Sequence, residues 1–157
     1  DAPGAATAST PAPGSVEALL AQARTLQTSD PLQAIKTYDE VIVKDPKNAE
    51  ALTYRGWTAA FVAMQMGEGT SRDVLIGSAS EFLDAARAAD PNYPDAQCFT
   101  AIVRFRFQND AVGAKGPYDK CKASDALPPS VAGLVGSLGS KIDEALAASG
   151  GSVPPTT

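Results

Sequence analysis

From Val16 onward, apolar and small residues recur at intervals of three and four, the spacing that gathers side chains on one face of an α-helix. The pattern predicts seven helices, near Val16–Thr28, Pro31–Lys44, Ala49–Met66, Ser71–Ala89, Pro94–Gln108, Ala111–Ser124 and Pro129–Ala148. Their boundaries carry specific chemistry. Asp30 is placed to cap a helix whose first turn accommodates Pro31. Pro46 and Pro91 cannot continue a helix and push the residue before them away from the helical region, so each ends an element.

The helices repeat in pairs. Asp45-Pro46 recurs as Asp90-Pro91 at an offset of 45, and Ala34, Tyr38 and Val41 align with Ala79, Leu83 and Ala86 at the same offset. A further step of 35 gives Ala114, Tyr118 and Cys121. On the partner helices, Ala51, Leu52 and Gly56 match Ala18, Leu19 and Ala23 at 33, while Ala51 and Gly56 match Ala96 and Ala101 at 45. Small residues at these places let paired helices cross closely, and bulk there would force them apart. Repeats therefore span about 16–46, 49–91 and 94–126, with the last helix capping the stack, as terminal elements of solenoids must. Gly133, Gly136 and Gly139 weaken that cap by roughly 1 kcal/mol each relative to alanine.

The segment Asp39–Gly56, DEVIVKDPKNAEALTYRG, resembles the tetratricopeptide repeat: a helix ending at Asp-Pro, a short turn, then Ala-Leu-x-Tyr-x-Gly. The resemblance implies an all-α fold of about three helical hairpins in a right-handed superhelical stack. The second unit exceeds the usual 34-residue repeat by about 11, with Gly67–Thr70 as the tip of a lengthened hairpin. Leu75 and Ile76 share a face with Ala79 and keep that hairpin closed. Met64, Met66 and Val74 near the tip form an exposed apolar knob or fill the hairpin's own core.

Composition narrows the function. Apolar residues make up 44% of the chain but aromatics only 6%, which suits close helix–helix packing around small side chains. A net charge of −5 leaves no basic stripe for nucleic acid or for an anionic membrane surface. No apolar run is long enough to span a bilayer. Histidine is absent, and no phosphate loop, nucleophile elbow or dinucleotide fingerprint occurs, so neither an enzyme nor a metal or cofactor site is expected. Residues 1–15, rich in Pro, Ala, Thr and Ser, read as a disordered linker, and 149–157 as a similar tail. Cys98 and Cys121 fall at matching heights of one antiparallel hairpin, so they form a disulfide or remain two buried thiols.

Over Ala34–Trp57, Ala88–Phe99 and Pro128–Leu138 (PPSVAGLVGSL) the chain also resembles actinobacterial membrane-anchored tetratricopeptide proteins identified as cytochrome c biogenesis factors. That resemblance implies an extracytoplasmic domain, tethered by an N-terminal transmembrane segment preceding the present sequence. It implies a role in holding a polypeptide partner, such as apocytochrome c or maturation-complex membrane proteins. By the repeat pattern the groove positions are Thr53, Trp57, Ala60 and Phe61, then Cys98, Phe99, Ile102, Phe105 and Arg106, with aromatic and arginine anchors carrying peptide contact. The basic and Asn residues that clamp a terminal carboxylate in chaperone adaptors are replaced by Glu50, Thr53, Trp57, Asp95, Cys98 and Ile102, which disfavours that ligand. The competing reading is a self-assembly domain that oligomerises through the long hairpin or the last helix.

Overall fold

Helix boundaries follow from local hydrogen-bonding chemistry. Ser15, Asp30, Asn48 and Asp110 stand at N-caps, and their side-chain oxygens accept the N–H groups of Ala18, Gln33, Ala51 and Gly113. Each such cap stabilises its helix by about 1 kcal/mol. The computed structural model describes residues 10–125 and 127–150. Among them lie α1 (Val16–Ser29), α2 (Pro31–Lys44), α3 (Ala49–Met64), α4 (Thr70–Ala89), α5 (Pro94–Phe107), α6 (Ala111–Lys122), α7 (Pro129–Val135) and α8 (Leu138–Gly150). The first nine residues of the expected linker and the tail from residue 151 lie outside the described residues. Ser149 and Gly150, assigned to that tail, instead complete α8.

Helices α1 and α2, α3 and α4, and α5 and α6 pack as consecutive hairpins, and each hairpin packs on the next. The expected small positions are where the helices meet: Ala23, Ala34, Ala79, Ala101 and Ala114 are all fully buried. At Gly56 an added Cβ would lie 2.9 Å from the carbonyl oxygen of Ala79 and 3.1 Å from Leu83 Cγ. Helix α3 stops at Met64, two residues before its expected end. The turn to α4 passes through Gly69 at φ 150°, a conformation that L side chains rarely adopt.

Two departures from the expected elements have physical causes. The single cap helix is interrupted after Val135, where Gly136 and Ser137 separate α7 from α8. Helix α7 lies on α5 and α8 on α6. Gly139 is required at the second contact, because an added Cβ would overlap the ring and hydroxyl of Tyr118. Pro117 sits inside α6 and cannot donate to the carbonyl of Gly113. That carbonyl accepts from Arg104 instead, at 3.4 Å.

The largest cluster of buried residues joins α3 through α8, including Ile76, Leu83, Phe99, Val131, Leu138 and Ile142. A second, around Leu19, Leu20, Tyr38 and Val41, ties α1 and α2 to Ala51. Helix α5 is the most enclosed element, with nine consecutive buried residues from Asp95 to Val103. No described helix is long and apolar enough to cross a membrane.

Candidate functional site

A row of aromatic rings crosses the hairpin boundaries. Tyr38 on α2 stacks near Tyr54 on α3 with centroids 6.4 Å apart, and Tyr54 meets Phe99 on α5 edge-on at 5.7 Å. Trp57 then lies flat on Phe99 at 4.3 Å, with planes 8° apart. Such pairs add about 0.5–1.5 kcal/mol each beyond the area they bury. They also fix the orientation of Trp57, whose other face stays open.

Trp57 and Phe61 are one turn apart on α3 and form the ridge between two depressions. The smaller, about 250 Å³, is completed by Gln27, Thr28 and Thr58. The larger, about 510 Å³, continues past Met64 to Ile102, Arg106 and Phe107 on α5 and Leu134 on α7. A third, about 430 Å³ and more polar, shares Gln27 and is lined by Arg24, Glu50, Tyr54 and Tyr93. Shared residues make these one continuous groove across α1, α3, α5 and α7.

The polar end is organised by paired groups. Arg24 grips Glu50 through two hydrogen bonds of 2.5 and 2.7 Å. Tyr54 donates to Asp95 at 2.5 Å, and Tyr38 accepts from Gln27 at 2.9 Å. Burial, reinforced by neighbouring carboxylates, raises the phenol pKa of Tyr38, Tyr54 and Tyr93 above the ordinary tyrosine value. Further along, Arg55 bonds Asp39 at 3.0 Å and Ser78 at 2.8 Å, with its guanidinium 4.0 Å over the Phe82 ring. None of the described His, Cys, Asp or Glu residues group as metal ligands.

The expected groove residues divide. Trp57, Phe61, Ile102 and Arg106 do line it. Thr53 does not: it is fully buried, as are Ala60 and Cys98, and Phe99 is buried beneath Trp57. Phe105 packs half-buried against the core and lies outside the lining. On α5 the cause is the helix's enclosure, which leaves the groove only Ile102, Arg106 and Phe107. Met64, Met66 and Val74 are 47%, 37% and 64% exposed, so they do not fill the hairpin core; Ala60, Ala63 and Ile76 are buried there instead. Of the three, Met64 faces the groove. Cys98 and Cys121 come together with Cα atoms 4.8 Å apart and sulfurs at 2.07 Å.

Sequence reasoning missed Gln27, Phe107 and Leu134. Leu134 reaches the groove only because the cap helix is interrupted, and the Gly136/Gly139 pair was the available signal. Tyr54 stood within the Ala-Leu-x-Tyr motif but gave no sign of its bond to Asp95.

No family model matches the chain. Solved structures align over most of it. The first TPR domain of human RPAP3 superposes with a TM-score of 0.65 at 20% identity, covering 90% of this chain and 100% of that one. The Sgt2 TPR domain from Aspergillus fumigatus gives 0.64 at 22%, covering 94% and 89%. The fold is that of a tetratricopeptide-repeat domain. PcrH, in complex with the chaperone binding region of PopD, gives 0.65 at 17% identity, covering 91% of this chain and 99% of its own. By sequence, 38% identity over 89 residues links this chain to a probable UDP-N-acetylglucosamine–peptide N-acetylglucosaminyltransferase, SPINDLY, of Hordeum vulgare. That match covers 56% of this chain but 8% of the transferase.

Proposed function

We propose that this domain is a protein-interaction module that holds a polypeptide segment along the groove. The observation that carries the reading is the open apolar ridge of Trp57 and Phe61. A groove lined mainly by apolar side chains, with a few fixed polar groups at its ends, is the form that peptide sites take. PcrH, a TPR-fold relative, was crystallised with a segment of another protein. The match to SPINDLY spans too little of that enzyme to transfer its activity.

The finer reading places the domain on the outer side of the cytoplasmic membrane, membrane-anchored and serving cytochrome c maturation. The resemblance of Ala34–Trp57 and Ala88–Phe99 to envelope proteins supports it. So does the approach of Cys98 to Cys121, since a disulfide persists in an oxidising compartment.

Trp57 is the sole tryptophan, so its emission reports directly on the ridge. Titration with haem-free, unfolded cytochrome c should shift that emission saturably, and Phe61→Ala should weaken the binding. Saturable binding that ignores Phe61→Ala would remove the groove as the site. No binding of cytochrome c, alongside concentration-dependent sedimentation of the domain alone, would replace this reading with self-assembly.

A further inference from the structure

The chain has six arginines, and four of them (Arg24, Arg55, Arg87 and Arg104) lie within ion-pair distance of carboxylates. Among the described residues, Arg72 and Arg106 make no ion pair. Both stand at the same end of the groove. Arg106 is exposed and lines the larger depression. The Arg72 guanidinium lies 5.8 Å from the ring centroid of Phe107, which lines it too.

Helix electrostatics accounts for only one of the two. Arg106 occupies the last turn of α5, where a cation is favoured by about 0.3–1 kcal/mol. Arg72 occupies the first turn of α4, where the helix dipole disfavours a cation. Neither Asp73 in that turn nor Glu68 before it pairs with Arg72 among the described residues. In a chain of net charge −5, one cation without an ion pair thus lines the apolar wall and a second lies against Phe107, a ring of that wall. A ligand carboxylate at Arg106 would complete that cation, and Arg72, held beside Phe107, is the second cation nearest this wall.

We infer that the larger depression takes an apolar, acidic polypeptide segment. A bulky aliphatic or aromatic side chain seats against Trp57, Phe61 and Met64, and a nearby Asp or Glu meets Arg106 and Arg72. This rests on the groove being a peptide site and adds the chemistry of its occupant. It differs from a terminal-carboxylate clamp because the cations stand at the far end of the first helices, away from Glu50 and Asp95.

The test is selection of a random twelve-residue peptide library on the intact domain, followed by Trp57 emission titrations of the recovered peptides. Peptides enriched in Leu, Phe or Met with an accompanying Asp or Glu are expected. Arg106→Glu should weaken them about tenfold, more than a neutral change, because it adds repulsion to the lost pair. Arg106 is exposed, so that variant should keep the fold and melt only slightly below the parent, by the helix-end interaction it loses. Replacing the peptide's acid with Lys should restore binding to Arg106→Glu. Peptides bound through Phe61 but indifferent to acid content and to Arg106→Glu would overturn the charge assignment and leave the groove standing. Absence of any peptide sensitive to Phe61→Ala would overturn both. Trp57 emission that changes with protein concentration alone would assign the face to a second copy.

Discussion

Gly56 sets how closely α3 and α4 approach, and replacing it with alanine isolates that constraint. The added methyl would meet the Ala79 carbonyl oxygen at 2.9 Å, Leu83 Cγ at 3.1 Å and Phe82 Cβ at 3.2 Å. The nearest of these atoms is backbone and Leu83 is fully buried, so relief requires the helices to separate. Overpacking of this kind costs about 1–3 kcal/mol. Removing a mid-helix glycine returns up to about 1 kcal/mol, leaving a net loss of roughly 1–2 kcal/mol. For a domain of this size that lowers the melting midpoint by roughly 2–8 °C. Gly77 on α4 is the control: it is exposed, mid-helix, and has nothing within 4 Å of an added Cβ. Gly77→Ala should therefore raise stability by about 0.5–1 kcal/mol. Thermal and urea denaturation of both variants, followed by far-ultraviolet circular dichroism, gives the comparison. If Gly56→Ala stabilises as Gly77→Ala does, the close crossing is not present and the packing argument fails.

Other predictions probe other joints. Intact mass without reductant should fall two hydrogens short of the sequence mass. Cys98→Ala/Cys121→Ala should lower stability by roughly 3 kcal/mol, since the bond would close a loop between residues 23 apart; a full-hydrogen mass would show free thiols. Alkaline pH should destabilise the domain. Tyr38, Tyr54 and Tyr93 hold their protons more tightly folded than unfolded, so their contribution is complete below about pH 10 and is lost as pH rises above it. Phenolate absorbance of those three should then rise together with unfolding; ionisation at the ordinary pH in the folded protein would contradict the burial. Gly139→Ala should push α8 off Tyr118, increasing amide exchange in α8 while leaving exchange in α1 and α2 unchanged.

Much of the architecture was legible because it rests on short-range rules. Proline stops, aspartate caps and small residues at repeat offsets each act within one or two turns, and they located every hairpin to within two residues. The groove was less legible because exposure is a property of neighbours. The repeat pattern assigns Thr53 and Phe99 to the inner face, and in a regular array that would expose them. Here Trp57 lies over Phe99, and α5 is enclosed on nearly all sides. Pro117 shows the same limit from another direction: the Gly113 carbonyl it leaves without a helical donor accepts from Arg104, a residue of the neighbouring helix that no local rule connects to it.

The site itself arises from two irregularities in an otherwise regular stack. Helix α4 has 20 residues where α2 has 14 and α6 has 12, and its extra turns carry Arg72 beside Phe107. Helix α3 is lengthened with it, which brings Met64 level with Arg106. On the opposite side, the break at Gly136 and Ser137 lets α7 lie on α5 while α8 follows α6, and Leu134 closes the wall. A regular 34-residue unit and an unbroken cap would supply neither Met64 with Arg72 nor Leu134. The groove would then end at Phe61. The added length of the second hairpin and the break in the final helix thus belong together, as the two walls of one groove.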